Sequence, residues 1–119
     1  MAEYISDIPN APKAIGPYSP LVLSQGFAFL SGQIPLDPAT GKLVGDSIEA
    51  QTEQVLKNIA AILSVAGLTF RNVVKTTIFL TDLGTFQTVN KIYEASLGGA
   101  RPARSTVKVA ALPMGSKIE

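Results

Sequence analysis

The 119 residues leave room for one compact unit, since domains usually hold ~100–200 residues, and 46% hydrophobic against 16% charged residues excludes a disordered chain. Cysteine and histidine are both absent, which excludes a Ser-His-Asp triad, a cysteine nucleophile, an iron–sulfur cluster and the common zinc sites. Ten Lys and Arg against nine Asp and Glu give a formal net charge of +1, without the basic footprint of a nucleic-acid binder.

The opening Met1-Ala2-Glu3-Tyr4 is not followed by a basic-then-apolar or Arg-rich amphipathic stretch, and no apolar run approaches membrane-spanning length. The expectation is a single domain over residues 1–119, soluble and cytoplasmic, with no membrane and no nucleic-acid partner.

Residues 9–20 contain Pro9, Pro12, Gly16, Pro17 and Pro20. Prolines remove ladder donors and fix φ, so this stretch reads as an ordered extended loop carrying Tyr18, of a length that compact domains reserve for function. Leu21-Val22-Leu23 and Phe27-Ala28-Phe29-Leu30-Ser31, separated by Ser24-Gln25-Gly26, read as a β-hairpin. Asp37-Pro38-Ala39-Thr40-Gly41 is a second turn.

Asp46 as N-cap with Glu49 three positions on approximates a capping box. Ile48, Val55, Ile59, Ile62, Leu63 and Ala66 follow at helical spacing, and Gly67 stands at the C-terminal cap, so a helix of about 18–20 residues is expected. Val73 to Leu80 is rich in β-branched residues and reads as a central strand. Phe86, Val89, Ile92, Tyr93 and Leu97 recur at i, i+3 and i+4, which predicts a second helix ending at Gly98-Gly99. Ser105 to Ala110 alternates as a strand, and Lys117-Ile118-Glu119 begins another. Lys75, inside the central strand, reads as a rim-facing structural lysine rather than a Schiff-base amine.

The order β-β-α-β-α-β, with two helices that each need a sheet face for their apolar stripe, is an α+β two-layer sandwich: a mixed sheet covered on one face by two helices. The other sheet face is left uncovered, which points to an oligomer.

Four segments carry a resemblance that spans essentially the whole chain: Ile15-Gly16-Pro17-Tyr18-Ser19-Pro20; Ser31-Gly32-Gln33-Ile34-Pro35-Leu36-Asp37-Pro38; Val89-Asn90 with Tyr93-Glu94; and Arg101-Pro102-Ala103-Arg104-Ser105. Together they resemble the RidA (YjgF) family of reactive-intermediate deaminases. The resemblance implies a chorismate-mutase-like fold, a homotrimer with its sheets facing inward, and ligand clefts between subunits. It also implies hydrolysis of small 2-imino acids, such as 2-iminobutanoate and 2-iminopropanoate, or of their enamine tautomers, to 2-keto acids and ammonia without metal or organic cofactor.

On that resemblance Arg104 is the carboxylate binder, a role suited to a planar guanidinium fork, while Arg101 is a loop charge. Glu119 matches the family's acidic residue on the last strand, which holds or activates the attacking water. Tyr18 packs on the alkyl side of the substrate. Ser31 and Gly32, at the end of the second strand, permit close approach of a ligand, and Asn90 on the second helix reaches into the cleft. Thr106, two residues past Arg104 on the same strand face, offers its backbone groups. Two other expectations compete with deaminase activity: a non-catalytic, carboxylate-metabolite-binding regulatory trimer, and a ribonuclease, which near-neutral charge and the lack of histidine disfavour.

Overall fold

The computed structural model describes all of residues 1–119, as seven elements in chain order. They are β1 (Glu3–Ile5), β2 (Leu21–Ser24), β3 (Phe27–Leu30), α1 (Ile48–Val65), β4 (Lys75–Leu80), α2 (Phe86–Leu97) and β5 (Ala103–Lys108). The expected α+β class stands. β1 is an addition: three residues are too few to show a period, and Glu3–Ile5 become a strand only by pairing antiparallel with Leu21–Leu23.

The hairpin β2–β3 turns at Gln25 and Gly26, both at positive φ (54° and 78°), a geometry whose twist matches that of the flanking strands. Its two faces differ sharply. Leu21, Leu23, Ala28 and Leu30 pack inward with Ile8, Ala11 and Ile62. Phe27 and Phe29 stand on the opposite face, 60% and 57% exposed.

α1 starts one residue later than the sequence suggests. Ser47, not Asp46, is the N-cap: its hydroxyl accepts from the Ala50 backbone N–H at 3.1 Å, so no capping box with Glu49 forms. The reason is geometric, because Ser47 holds the extended φ/ψ that an N-cap needs. The C-terminus closes as the sequence suggests. Gly67 sits at φ 70°, with Leu68 N–H bonded to Leu63 C=O and Gly67 N–H to Ser64 C=O, the paired bonds of a Schellman motif.

α1 holds the molecule together because its apolar stripe serves two clusters. Val55 packs with Ile78, Leu80, Val89 and Ile118, while Ile62 packs with Ile8, Ala11 and Leu21. Leu21, Ile62 and Leu80 are fully buried, and each such side chain is worth ~1.5–3 kcal/mol of transfer free energy.

β4 begins at Lys75 rather than Val73, because Thr69 and Asn72 close a capping box around the short 3-10 turn Phe70–Asn72. β5 starts directly after Pro102, two residues earlier than expected, and pairs parallel with β4, Arg104 opposite Thr76 and Thr106 opposite Ile78. On the other side of β4, Ile118 bridges antiparallel to Leu80. β4 is therefore interior, as expected for a central strand.

The strands do not join into one continuous mixed sheet. β1-β2-β3 form an antiparallel ladder and β4-β5 a parallel one. Between them runs a groove of about 510 Å³, walled by β3 and β4 and floored by Val55, Ile59 and Leu63 of α1. The two ladders approach at Gly32 and Glu119, which lie at one end of that groove.

Candidate functional site

The residues singled out in the sequence fall into two groups. Tyr18, Ser31, Gly32 and Glu119 form the first, and Asn90, Arg104 and Thr106 the second.

In the first group the proline-rich loop is stiffened by its own polar contacts. The Tyr18 hydroxyl accepts from Ile15 N–H at 3.3 Å, while the ring remains 46% exposed. Ser31 Oγ donates to Ser19 C=O at 2.7 Å, which joins the end of β3 to the Tyr18 loop and leaves the hydroxyl lone pairs free to accept. Tyr18 and Gly32 share a small cavity with Pro12, Ile15 and Ile34.

Gly32 leaves room for the Glu119 side chain. A Cβ there would run into the Glu119 carboxylate, with Cδ at 2.9 Å, so the carboxylate lies close against its backbone. Glu119 is well anchored, with its N–H and C=O exchanging bonds with Phe79 at 3.0 and 2.9 Å.

Two buried polar side chains of α1, absent from the sequence reading, hold this end of the molecule. Gln51 donates to Gly45 C=O and accepts from Lys117 N–H at 2.8 Å, which pins the segment that carries Glu119. Asn58 donates to Leu36 C=O at 3.0 Å and Ile34 C=O at 3.4 Å, pinning the segment that follows Gly32. Both are nearly inaccessible, at 2% and 0% exposure. Their signal was a break in α1's apolar stripe.

In the second group Arg104 Nη1 donates to Asn90 Oδ1 at 2.8 Å. Its guanidinium carbon lies 5.4 Å from the Phe86 ring centroid and 5.1 Å from that of Tyr93, both within cation–π range. Asn90 therefore lies between the two rings on the same side of the helix. Phe86, Asn90 and Tyr93, at i, i+4 and i+7, share one face of α2, and the amide oxygen of Asn90 is committed to Arg104. Arg104, Arg101 and Asn90 line an open groove of about 480 Å³ with Gly99, Ala100 and Pro102.

Thr106 Oγ1 is buried without a hydrogen-bond partner. Ala103 N–H bonds to Val74 C=O and Val109 N–H to Leu80 C=O, so the odd residues of β5 face β4. Strand alternation then turns the backbone N–H and C=O of Arg104 and Thr106 to the free edge of β5. Lys75 Nζ, on the open sheet face, is bonded to Thr76 C=O and Ser105 Oγ, a structural arrangement.

Register keeps the two groups apart within one chain. Arg104 is level with Thr76, on the face where Ile78 and Leu80 meet the helices. Glu119 pairs with Phe79 and so projects from the other face, two strand spacings away, about 10 Å, and three residues along. Neither the groove between the two ladders nor the one beside α2 contains both residues.

The family model described as Endoribonuclease L-PSP matches residues 8–119. The chain is 50% identical over 110 residues to a human protein named 2-iminobutanoate/2-iminopropanoate deaminase, covering 92% of this chain and 80% of that one. A Yersinia pestis structure described as belonging to the conserved Rid protein family superposes with a TM-score of 0.95 at 49% identity, covering 99% of this chain and 94% of that one. The Escherichia coli protein TdcF, solved with bound serine, superposes with a TM-score of 0.89 at 38% identity, covering 98% of this chain and 93% of that one. The matched segments include both residue groups, and the fold is shared from end to end: the chain belongs to the RidA/YjgF family of reactive-intermediate deaminases.

Proposed function

We propose that this protein hydrolyses small 2-imino acids, 2-iminobutanoate and 2-iminopropanoate, and their enamine tautomers, to 2-keto acids and ammonia. The observation that carries the reading is Arg104, held against a neutral amide and two rings so that its charge is free for a substrate carboxylate, in a chain half identical to an imine deaminase.

Arg104 takes the carboxylate, and the backbone groups of Thr106 at the β5 edge bind its polar surroundings. Glu119 accepts a proton as water adds to C2 of the iminium and returns it to nitrogen in the carbinolamine. The C–N bond then breaks, ammonia departs, and the C2 hydroxyl loses its proton to give the ketone. Ser31 accepts a hydrogen bond from that water, Gly32 lets the carboxylate lie close, and Tyr18 packs on the alkyl group; Asn90 lines the cleft and holds Arg104. General acid–base help typically contributes ~10²–10⁴-fold, enough for imines, which hydrolyse unaided. No metal or organic cofactor has a part in these steps.

Because Arg104 and Glu119 project from opposite sheet faces, the complete site in this reading takes Arg104 from one copy and the Tyr18–Glu119 group from the next. The family resemblance supports a homotrimer with clefts between copies, its open sheet faces, with Phe27 and Phe29, turned inward. The working compartment in this reading is the cytoplasm. No helix is long and apolar enough to cross a membrane.

A second reading, a carboxylate-metabolite binder without turnover, is favoured by the serine bound to TdcF. One experiment separates the two. 2-Iminobutanoate is generated in situ by a threonine dehydratase with semicarbazide competing for free imine, and keto-acid release is compared for the wild type and Arg104→Ala. Acceleration lost in the variant supports hydrolysis, whereas saturable keto-acid binding without acceleration supports the binder.

A further inference from the structure

We infer that Tyr93, with Phe86 and Asn90, is a positioning device that presets the Arg104 guanidinium for a planar carboxylate. The inference rests on the proposed role of Arg104 and goes beyond it, because these side chains act through the arginine.

Arg104 lies on an exposed strand, where a long side chain would ordinarily sample many rotamers and lose that freedom on binding. Here it is laid along α2. Two rings one turn to either side of Asn90 provide cation–π faces at 5.4 and 5.1 Å, and Asn90 accepts from Nη1 at 2.8 Å. With Nη1 engaged, the Nε–Nη2 edge is the pair of parallel donors left whole for a bidentate carboxylate.

Tyr93 is the keystone because it is fixed to the strand next to Arg104. Its hydroxyl shares a 2.8 Å hydrogen bond with Thr76 Oγ1, and Thr76 is the residue in register with Arg104. Ring and guanidinium are thus referred to the same row of the sheet, and the ring also packs against the Val55–Ile78–Leu80 cluster. A neutral clamp has a further consequence: it orients the cation without cancelling its charge, as a carboxylate partner would.

The test is the affinity of 2-oxobutanoate, measured by calorimetry, in the wild type, Tyr93→Leu, Asn90→Ala, Arg104→Ala and the Tyr93→Leu/Arg104→Ala double variant, alongside KM and kcat for 2-iminobutanoate. Tyr93→Leu and Asn90→Ala are each expected to weaken binding about five- to tenfold, the scale of a cation–π contact or a charge-assisted hydrogen bond. KM rises in parallel, kcat at saturation changes less than twofold, and Tyr93→Phe, which keeps the ring face but loses the bond to Thr76, falls between the wild type and Tyr93→Leu. In the double variant the Tyr93 effect disappears, since there is nothing left to position.

A folded Tyr93→Leu with unchanged affinity, or the same loss with Arg104 already removed, overturns the inference. If Tyr93→Leu does not fold, Asn90→Ala and Phe86→Leu decide by the same criterion. Retained binding in Arg104→Ala instead sinks the reading of Arg104 as the carboxylate binder, so the two failures are distinct.

Discussion

Gly32 offers the sharpest single-residue test of how Glu119 is placed. A methyl group at this position must displace the Glu119 carboxylate that lies against it, whereas the backbone conformation of Gly32 is open to any residue because its φ is not in the left-handed region. Gly32→Ala is therefore expected to lower kcat about 10²-fold, comparable to losing general acid–base help, with a melting temperature within a few degrees of wild type. Arg104→Lys keeps the charge but not the fork. KM for 2-iminobutanoate is expected to rise at least about tenfold in Arg104→Lys, as one charge-assisted bidentate contact is reduced to a single donor. Both outcomes are read from steady-state kinetics, with circular dichroism as the check on folding.

At the scale of elements, α1 does more than cover a sheet. Its cap is local: Ser47→Ala is expected to cost about 1 kcal/mol, and Asp46→Ala within about 0.5 kcal/mol, because only the Ser47 hydroxyl bonds the helix terminus. Its buried amides act at long range. Asn58→Leu would strip the Leu36 carbonyl of its side-chain partner, while Ile34 C=O keeps the Leu36 N–H, and is expected to destabilise by ~1–3 kcal/mol, measured by urea unfolding. The elements themselves were largely legible in the chain. α2 runs from Phe86 to Leu97 and closes at Gly98 in the left-handed conformation, as its spacing and glycines predict. Capping and strand ends were less legible, because a one-residue choice such as Ser47 over Asp46 depends on which backbone already stands extended, and β5 reaches back to Ala103 only because β4 lies beside it.

For the whole molecule, the decisive feature is that Arg104 and Glu119 leave the sheet on opposite faces. If each site combines one copy's Arg104 with the next copy's Glu119, co-expressed Arg104→Ala and Glu119→Gln chains recover activity although each alone is inactive. For equal amounts of the two chains in a cyclic assembly, about a quarter of the sites are rebuilt. No recovery in mixed assemblies would reject a shared site. In the proposed assembly the open face is the matching surface: Phe27→Asp with Phe29→Asp places charges where two rings now lie 6.2 Å apart and more than half exposed. Light scattering is expected to shift the mass from three times the 12.5 kDa chain to one, with activity lost in step.

By itself the sequence determined the element types, because apolar periodicity and turn residues act locally, and it determined the family, because four ordered segments share their spacing. Through that resemblance it also singled out Arg104, Glu119 and Gly32 as candidates for holding an imino acid. Only the tertiary structure decided how they stand: that Glu119 presses on Gly32, that Asn90 joins Phe86 and Tyr93 around Arg104, and that Gln51 and Asn58 anchor the loops. The physical reason is that these relations join residues 11 to 87 positions apart across strands and helices. Strand register and face, which no local pattern encodes, set them: a shift of one residue would reverse every side chain of β5, and Arg104 with it.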